Sequence, residues 1–232
     1  MFQPNRTEGG AAQVRQGAVV DAAYLTQAFF WMFAGLLLTA AVSAAVLLST
    51  SVYRFAANNV LLVIIAQLAL VLVITFGIRR LSAMAALGLF FVYAASLGLT
   101  VGLIVSIYTS SSVATAFLSA GAMFGGAALY GYTTKRSLAG LRGYLLMGLF
   151  GLFAAMLVNF FVGGSTFSLV ISIVGVVLFT VLTAYHVQRI AKGDLAVVTG
   201  SGEKAAVIGA LLLYLDFVNL FLFLLRLLGG RR

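Results

Sequence analysis

Apolar residues run along this chain in blocks close to the roughly 20 residues a helix needs to cross a bilayer, and polar residues gather in the short gaps between them. Seven such blocks occupy approximately 24–49, 59–78, 82–108, 113–133, 143–162, 166–190 and 205–228. Each is long enough to pair every backbone N–H and C=O internally, which a segment surrounded by lipid has to do. The connections are short, so neighbouring helices pack antiparallel. The pattern predicts an all-α integral membrane protein with seven transmembrane helices in one domain, 23–230. Residues 1–22 are polar, of mixed charge and rich in Gln and Gly, and lack the compact apolar core of a signal peptide. They are expected to form a disordered cytoplasmic tail.

Composition removes the soluble alternative. The chain is 63% hydrophobic and 8% charged, where a soluble domain carries about 45–50% and 25%. Zero cysteines exclude disulfides, thiolate metal sites and a cysteine nucleophile. The one proline, Pro4, lies outside the apolar blocks. The net charge of +9 sits in short loops, which fits topology signals and anionic lipid heads better than nucleic acid. Counting Lys and Arg by side gives ten with the amino terminus and its loops against four opposite. The amino terminus is therefore expected in the cytoplasm of a multi-pass inner-membrane protein. A re-entrant last segment would return the carboxyl end and make the count thirteen against one.

Polar intrusions in the apolar blocks are the candidate chemistry. Asp216 lies roughly 18 Å from either end of the last block, where a carboxylate costs on the order of 3 kcal/mol and needs a partner, water or a proton. Asn219 and Arg226 fall within about 80° of arc with it on a helix, a polar stripe on an otherwise apolar cylinder. Such a helix belongs at the centre of a bundle. Arg226 lies near the boundary, where it either snorkels or takes a buried role. His186 lies near the end of the preceding block as either an interfacial hydrogen-bonding group or the titratable partner of Asp216. The two meet only if the sixth helix runs past Arg189 or the seventh starts late. Arg79 and Arg80 close the second block, one as an anchor and the other free to reach inward, and Gln67 is a neutral polar group earlier in it. Gly98 with Gly102 and Gly121 with Gly125 are G-x-x-x-G pairs, expected to serve packing within the bundle. One histidine and five acids, four of them in the tail or loops, supply no catalytic constellation, and no phosphate-binding or dinucleotide motif is present. No enzyme activity and no cofactor are expected.

The run Leu213-Tyr214-Leu215-Asp216-Phe217-Val218-Asn219-Leu220-Phe221, followed by Leu224-Leu225-Arg226, resembles the last-helix signature of the Bax inhibitor-1 family of seven-helix membrane proteins. Leu182-Thr183-Ala184-Tyr185-His186-Val187-Gln188-Arg189-Ile190 resembles that family's sixth-helix signature, and the likeness covers essentially 20–230. The resemblance implies a seventh helix wrapped by six others and a pH-dependent calcium leak. In bacterial relatives, two aspartates on the last two helices form a proton-sensing latch with an arginine from the end of the second. Asp216 falls on the seventh-helix aspartate, Arg79 or Arg80 on the latch arginine, Arg226 on a last-helix arginine, and Gln67 roughly where relatives carry an acid.

The departure is His186, which stands where the sixth-helix aspartate is usual. Two close carboxylates share one proton because both cannot ionise cheaply. A His–Asp pair reverses that logic: protonation creates an ion pair that tightens, and loss of the proton loosens it. The change also removes a negative charge from the implied Ca²⁺ path, where His186 is a poor ligand and Asp216 alone a weak site. The resemblance thus implies a Ca²⁺ leak that is weaker or differently pH-dependent than in two-aspartate relatives. The competing expectation is a membrane-embedded regulator that docks a protease or stress-pathway protein without conducting ions, and a proton-coupled transporter lacks the internal repeat it would need. The lipid bilayer, Ca²⁺ and a partner membrane protein are the expected partners, and nucleic acid is not among them.

Overall fold

In a computed structural model of the chain, residues 23–230 are described with their side chains, and helix α1 is assigned over Arg6–Leu48. The disordered tail expected for 1–22 lies outside the residues described with side chains. The elements that follow are α2 (Thr50–Asn58), α3 (Val60–Gly77), α4 (Ala83–Val105), α5 (Ser110–Thr133), α6 (Arg142–Val162), α7 (Ser165–Ala191), α8 (Asp194–Thr199) and α9 (Gly202–Leu228). Seven helices among the described residues are long and apolar enough to cross a membrane, the first of them over Ala23–Leu48. The described fold is all-α. The last helix is continuous and 27 residues long, enough for a full crossing rather than a re-entrant turn.

Local chemistry sets the helix starts. Ser82 accepts a hydrogen bond from the Ala85 amide and Thr109 one from the Ser112 amide, satisfying amides that have no partner inside α4 and α5. Two short helices, α2 and α8, occupy stretches between the apolar blocks whose polarity predicts loop. Neither is long enough to span, and each lies at one end of the bundle.

The spans differ sharply in enclosure. In α9, 78% of the membrane-length window is buried, against 11% for the span containing α6 and 17% for α3. α9 packs on α1, α5 and α7 and, less extensively, on α4, while α3 packs on α4 and α6 on α7. The arrangement therefore differs from a ring of six: four spans flank α9 and two lie outside them. Lipid is as apolar as leucine, so association depends on close packing and polar bonds rather than on hiding apolar surface. At Gly98 and Gly102 a Cβ would come within 2.7 Å of Val42 and Val46, and at this seam α4 lies directly against α1. Gly121 and Gly125 differ: a Cβ on either would meet nothing within 4 Å, so that pair packs no helix of its own chain. A polar seam joins α3 to α4, where buried Gln67 donates to the Ser96 carbonyl and to Thr100 Oγ1, both at 2.9 Å.

Candidate functional site

The one side-chain ion pair among the described residues joins α7 to α9. His186 Nδ1 lies 2.6 Å from Asp216 Oδ2, with the aspartate side chain 3% exposed and the histidine 12%. One proton occupies that contact. A second proton on the imidazole makes the pair neutral overall, as imidazolium and carboxylate; without it, a net negative charge is left on a carboxylate enclosed by helices. The site is thus a hydrogen-bonded His–Asp contact that joins two helices inside the bundle.

The two residues reach the same depth by a route the sequence did not suggest. α7 does run to Ala191, two residues past Arg189, but α9 begins at Gly202, earlier than expected rather than later. His186 is about one and a half turns from the end of α7 and Asp216 about four turns into α9, an offset of about 13 Å along the axis. Helix α8 takes up the difference, packing on both neighbours, bracketed by Gly193 and Gly200 in the left-handed region at φ 72° and 76°. The first turns of α9 thereby extend beyond the end of α7. Two residues before His186, α7 meets α5 closely, and a Cβ on Gly131 would sit 2.2 Å from the Ala184 carbonyl oxygen.

The arginines expected at the latch lie elsewhere. Arg79 and Arg80 are both exposed, and Arg79 Nε donates to the Val198 carbonyl of α8 at 3.0 Å. Lys204, in the first turn of α9, donates to the Arg79 carbonyl at 3.2 Å. Arg79 thus tethers the end of α3 to the α7–α9 connector, and the structure does not bring it to Asp216. Asn219 donates to the Leu215 carbonyl one turn back, a bond within its own helix, and Arg226 is exposed near the helix end. Gln67 serves the α3–α4 seam described above. No cluster of three or more His, Cys, Asp or Glu that could hold a metal occurs among the described residues.

Two polar contacts near the pair were not foreseen. Gln188, one half-turn beyond His186, is buried; its Oε1 accepts from the Leu138 amide at 2.7 Å and its Nε2 donates to the Arg136 carbonyl at 2.9 Å. It fastens the α5–α6 loop to the helix that carries the histidine. On the opposite side of α9, Thr39 donates to the Ala94 carbonyl at 2.9 Å, which leaves Tyr214 as the donor in its 2.5 Å bond to Thr39. The rings of Phe90 and Tyr93 stand edge-on to Tyr214, with centroids 5.4 and 5.9 Å away. Tyr214 is the one tyrosine among the aromatics of the last helix, but its hydroxyl's partner on α1 is not legible in the sequence.

Comparison with known proteins gives the following. The model of the family described as "Inhibitor of apoptosis-promoting Bax1" matches residues 21–232. Inner membrane protein YbhL of Escherichia coli (strain K12) is 43% identical over 215 residues, which cover 90% of this chain and 92% of the relative. A protein of Deinococcus radiodurans is 41% identical over 209 residues, 90% of each chain. One of Borreliella burgdorferi is 39% identical over 225 residues, covering 95% of this chain and 97% of its own.

Proposed function

Because the chain belongs to the Bax inhibitor-1 family, as a multi-pass membrane protein, we propose that it is a pH-sensitive Ca²⁺ leak channel of the inner membrane, gated by the His186–Asp216 pair. The observation that carries the reading is the 2.6 Å contact between the only histidine and the only acid buried in a span. With both protons bound, the pair is an ion pair without net charge, and α7 and α9 are held together: the closed state. Loss of the imidazolium proton weakens the attraction and leaves a net negative charge in the interior, which favours entry of a cation. The leak on this reading rises as pH rises. Ca²⁺ is the transported ion here rather than a resident group, and Asp216 is the one acidic oxygen donor on its path.

Arg79 contributes a second point of closure. Its bonds with Val198 and Lys204 tie the end of α3 to the connector between α7 and α9. Separation of α7 from α9 strains that tether. Arg80 has no assigned part beyond its charge at the loop. With ten basic residues on the amino-terminal side against four opposite, we place the amino terminus and this latch end in the cytoplasm.

Ca²⁺ uptake into proteoliposomes, followed across pH for the wild type, His186→Asp and Asp216→Asn, tests the reading. The wild type should leak more as pH rises. Asp216→Asn should lose that dependence, and His186→Asp should shift it. Superimposable curves for wild type and His186→Asp would remove the gate from this pair. If Asp216→Asn alters stability while flux stays unchanged or absent in every form, the regulator that docks a partner protein becomes the better account.

A further inference from the structure

A cavity of about 250 Å³ lies between α1 and α5, with α9 as its floor and α4 at its back. It lies on the side of α9 away from the His186–Asp216 pair and is independent of the channel reading. Helices α1 and α5 touch through Phe29 and Phe124, whose ring centroids are 6.3 Å apart, and the cavity opens between them beyond that contact. Its floor is Phe217 and Val218, only 6% and 5% exposed, while Leu47 and Phe117 on its walls are 52% and 50% exposed. The mouth is therefore on the perimeter of the bundle, the surface that faces lipid.

Water has little to hold it there. The lining is apolar but for two hydroxyls, and both have spent their protons: Thr39 on the Ala94 carbonyl and Ser43 on the Gly98 carbonyl, each at 2.9 Å. A water needs two to four polar partners, and an apolar void without them stays dry or takes an apolar guest. Depth identifies the guest. Along α1 the lining runs from Leu36 to Leu47, a rise of about 16 Å, close to half of the roughly 30 Å hydrocarbon thickness of a bilayer. That is the reach of one leaflet, and it ends at the side where α1 passes into α2. We propose that this groove binds one acyl chain of a bilayer phospholipid, drawn from the leaflet on that side and laid against α9 beside Phe217 and Val218.

The test uses phospholipid carrying a photoactivatable diazirine in its acyl chain, reconstituted with the full-length protein, and peptide mapping of the adducts. Occupancy predicts adducts on Phe217 and Val218, which lipid remaining on the perimeter does not reach. Ala44→Trp, which fills the groove, should lose those adducts and keep the ones on exposed Leu118; Ala40→Leu is the milder variant should the first fail to fold. Adducts confined to perimeter residues such as Leu37 and Leu118 in the wild type would overturn the proposal. So would rapid modification of a Ser43→Cys variant by a charged, water-soluble thiosulfonate, since the cysteine-free chain makes that thiol the sole target and its reaction would mean a water-filled groove.

Discussion

At the scale of single residues, the chemistry is set by how few polar groups the interior contains. Asp216 could be singled out from the sequence because one carboxylate in a bilayer-length apolar run has no cheap explanation, and His186 because it is the only imidazole. Their contact could not be read, since it depends on a six-residue helix that offsets α9 from α7. The pair leads to a stability prediction that does not require ion flux. Replacing His186 with Leu leaves Asp216, 2% exposed, without its partner in a low-dielectric interior. Removing one member of a buried pair costs about 3 kcal/mol. Thermal unfolding in detergent should register that loss at neutral pH. Taking up a proton removes the orphaned charge, so the deficit relative to wild type should shrink as pH falls. A deficit of constant size across pH would mean that the histidine contributes packing alone.

At the scale of elements, the apolar blocks marked the spans well and the connecting pieces poorly. A span announces itself by length, because the bilayer demands it, whereas α2 and α8 are single short helices whose polar residues look like loop. The same limit hid Gln188. A glutamine near a helix end is ordinary in sequence, and its role comes from a loop backbone some fifty positions away that lays its own N–H and C=O against it. Replacing Gln188 with Leu fills the volume but strands the Leu138 amide and the Arg136 carbonyl. The expected cost is about 2 kcal/mol, the penalty for a buried backbone group deprived of its partner. Hydrogen exchange should locate it: amides around Leu138 should exchange faster in the variant, while those in the middle of α9 should keep their protection. Uniform acceleration throughout the chain would instead indicate general unfolding and no specific fastening of the loop.

At the scale of the whole molecule, the order of packing was the part least legible, for a physical reason. In water a buried face is more apolar than an exposed one, but in lipid both faces are apolar, so periodicity no longer distinguishes inside from outside. α3 is apolar nearly all round, Gln67 excepted, and lies at the edge, with 17% of its membrane-length stretch buried; α9 is nearly as apolar and is 78% buried. Only the polar residues of α9 hinted at its enclosure. Charge, by contrast, remains informative at this scale, because translocating a basic loop is costly whatever the helices do. The α3–α4 turn, the α5–α6 loop and the α7–α9 connector hold most of the basic residues and share one end of the bundle, and α2 lies at the other. Single cysteines in the cysteine-free chain can test the orientation without altering charge. Asn58→Cys, on exposed α2, should react with a membrane-impermeant maleimide in intact cells, whereas Ser137→Cys, in the exposed α5–α6 loop, should react only after permeabilisation. The reverse pattern would place the His186–Asp216 end on the outside, where it would sense external rather than cytoplasmic pH. Labelling of both sites in intact cells would mean mixed insertion and would undo the charge-count argument altogether.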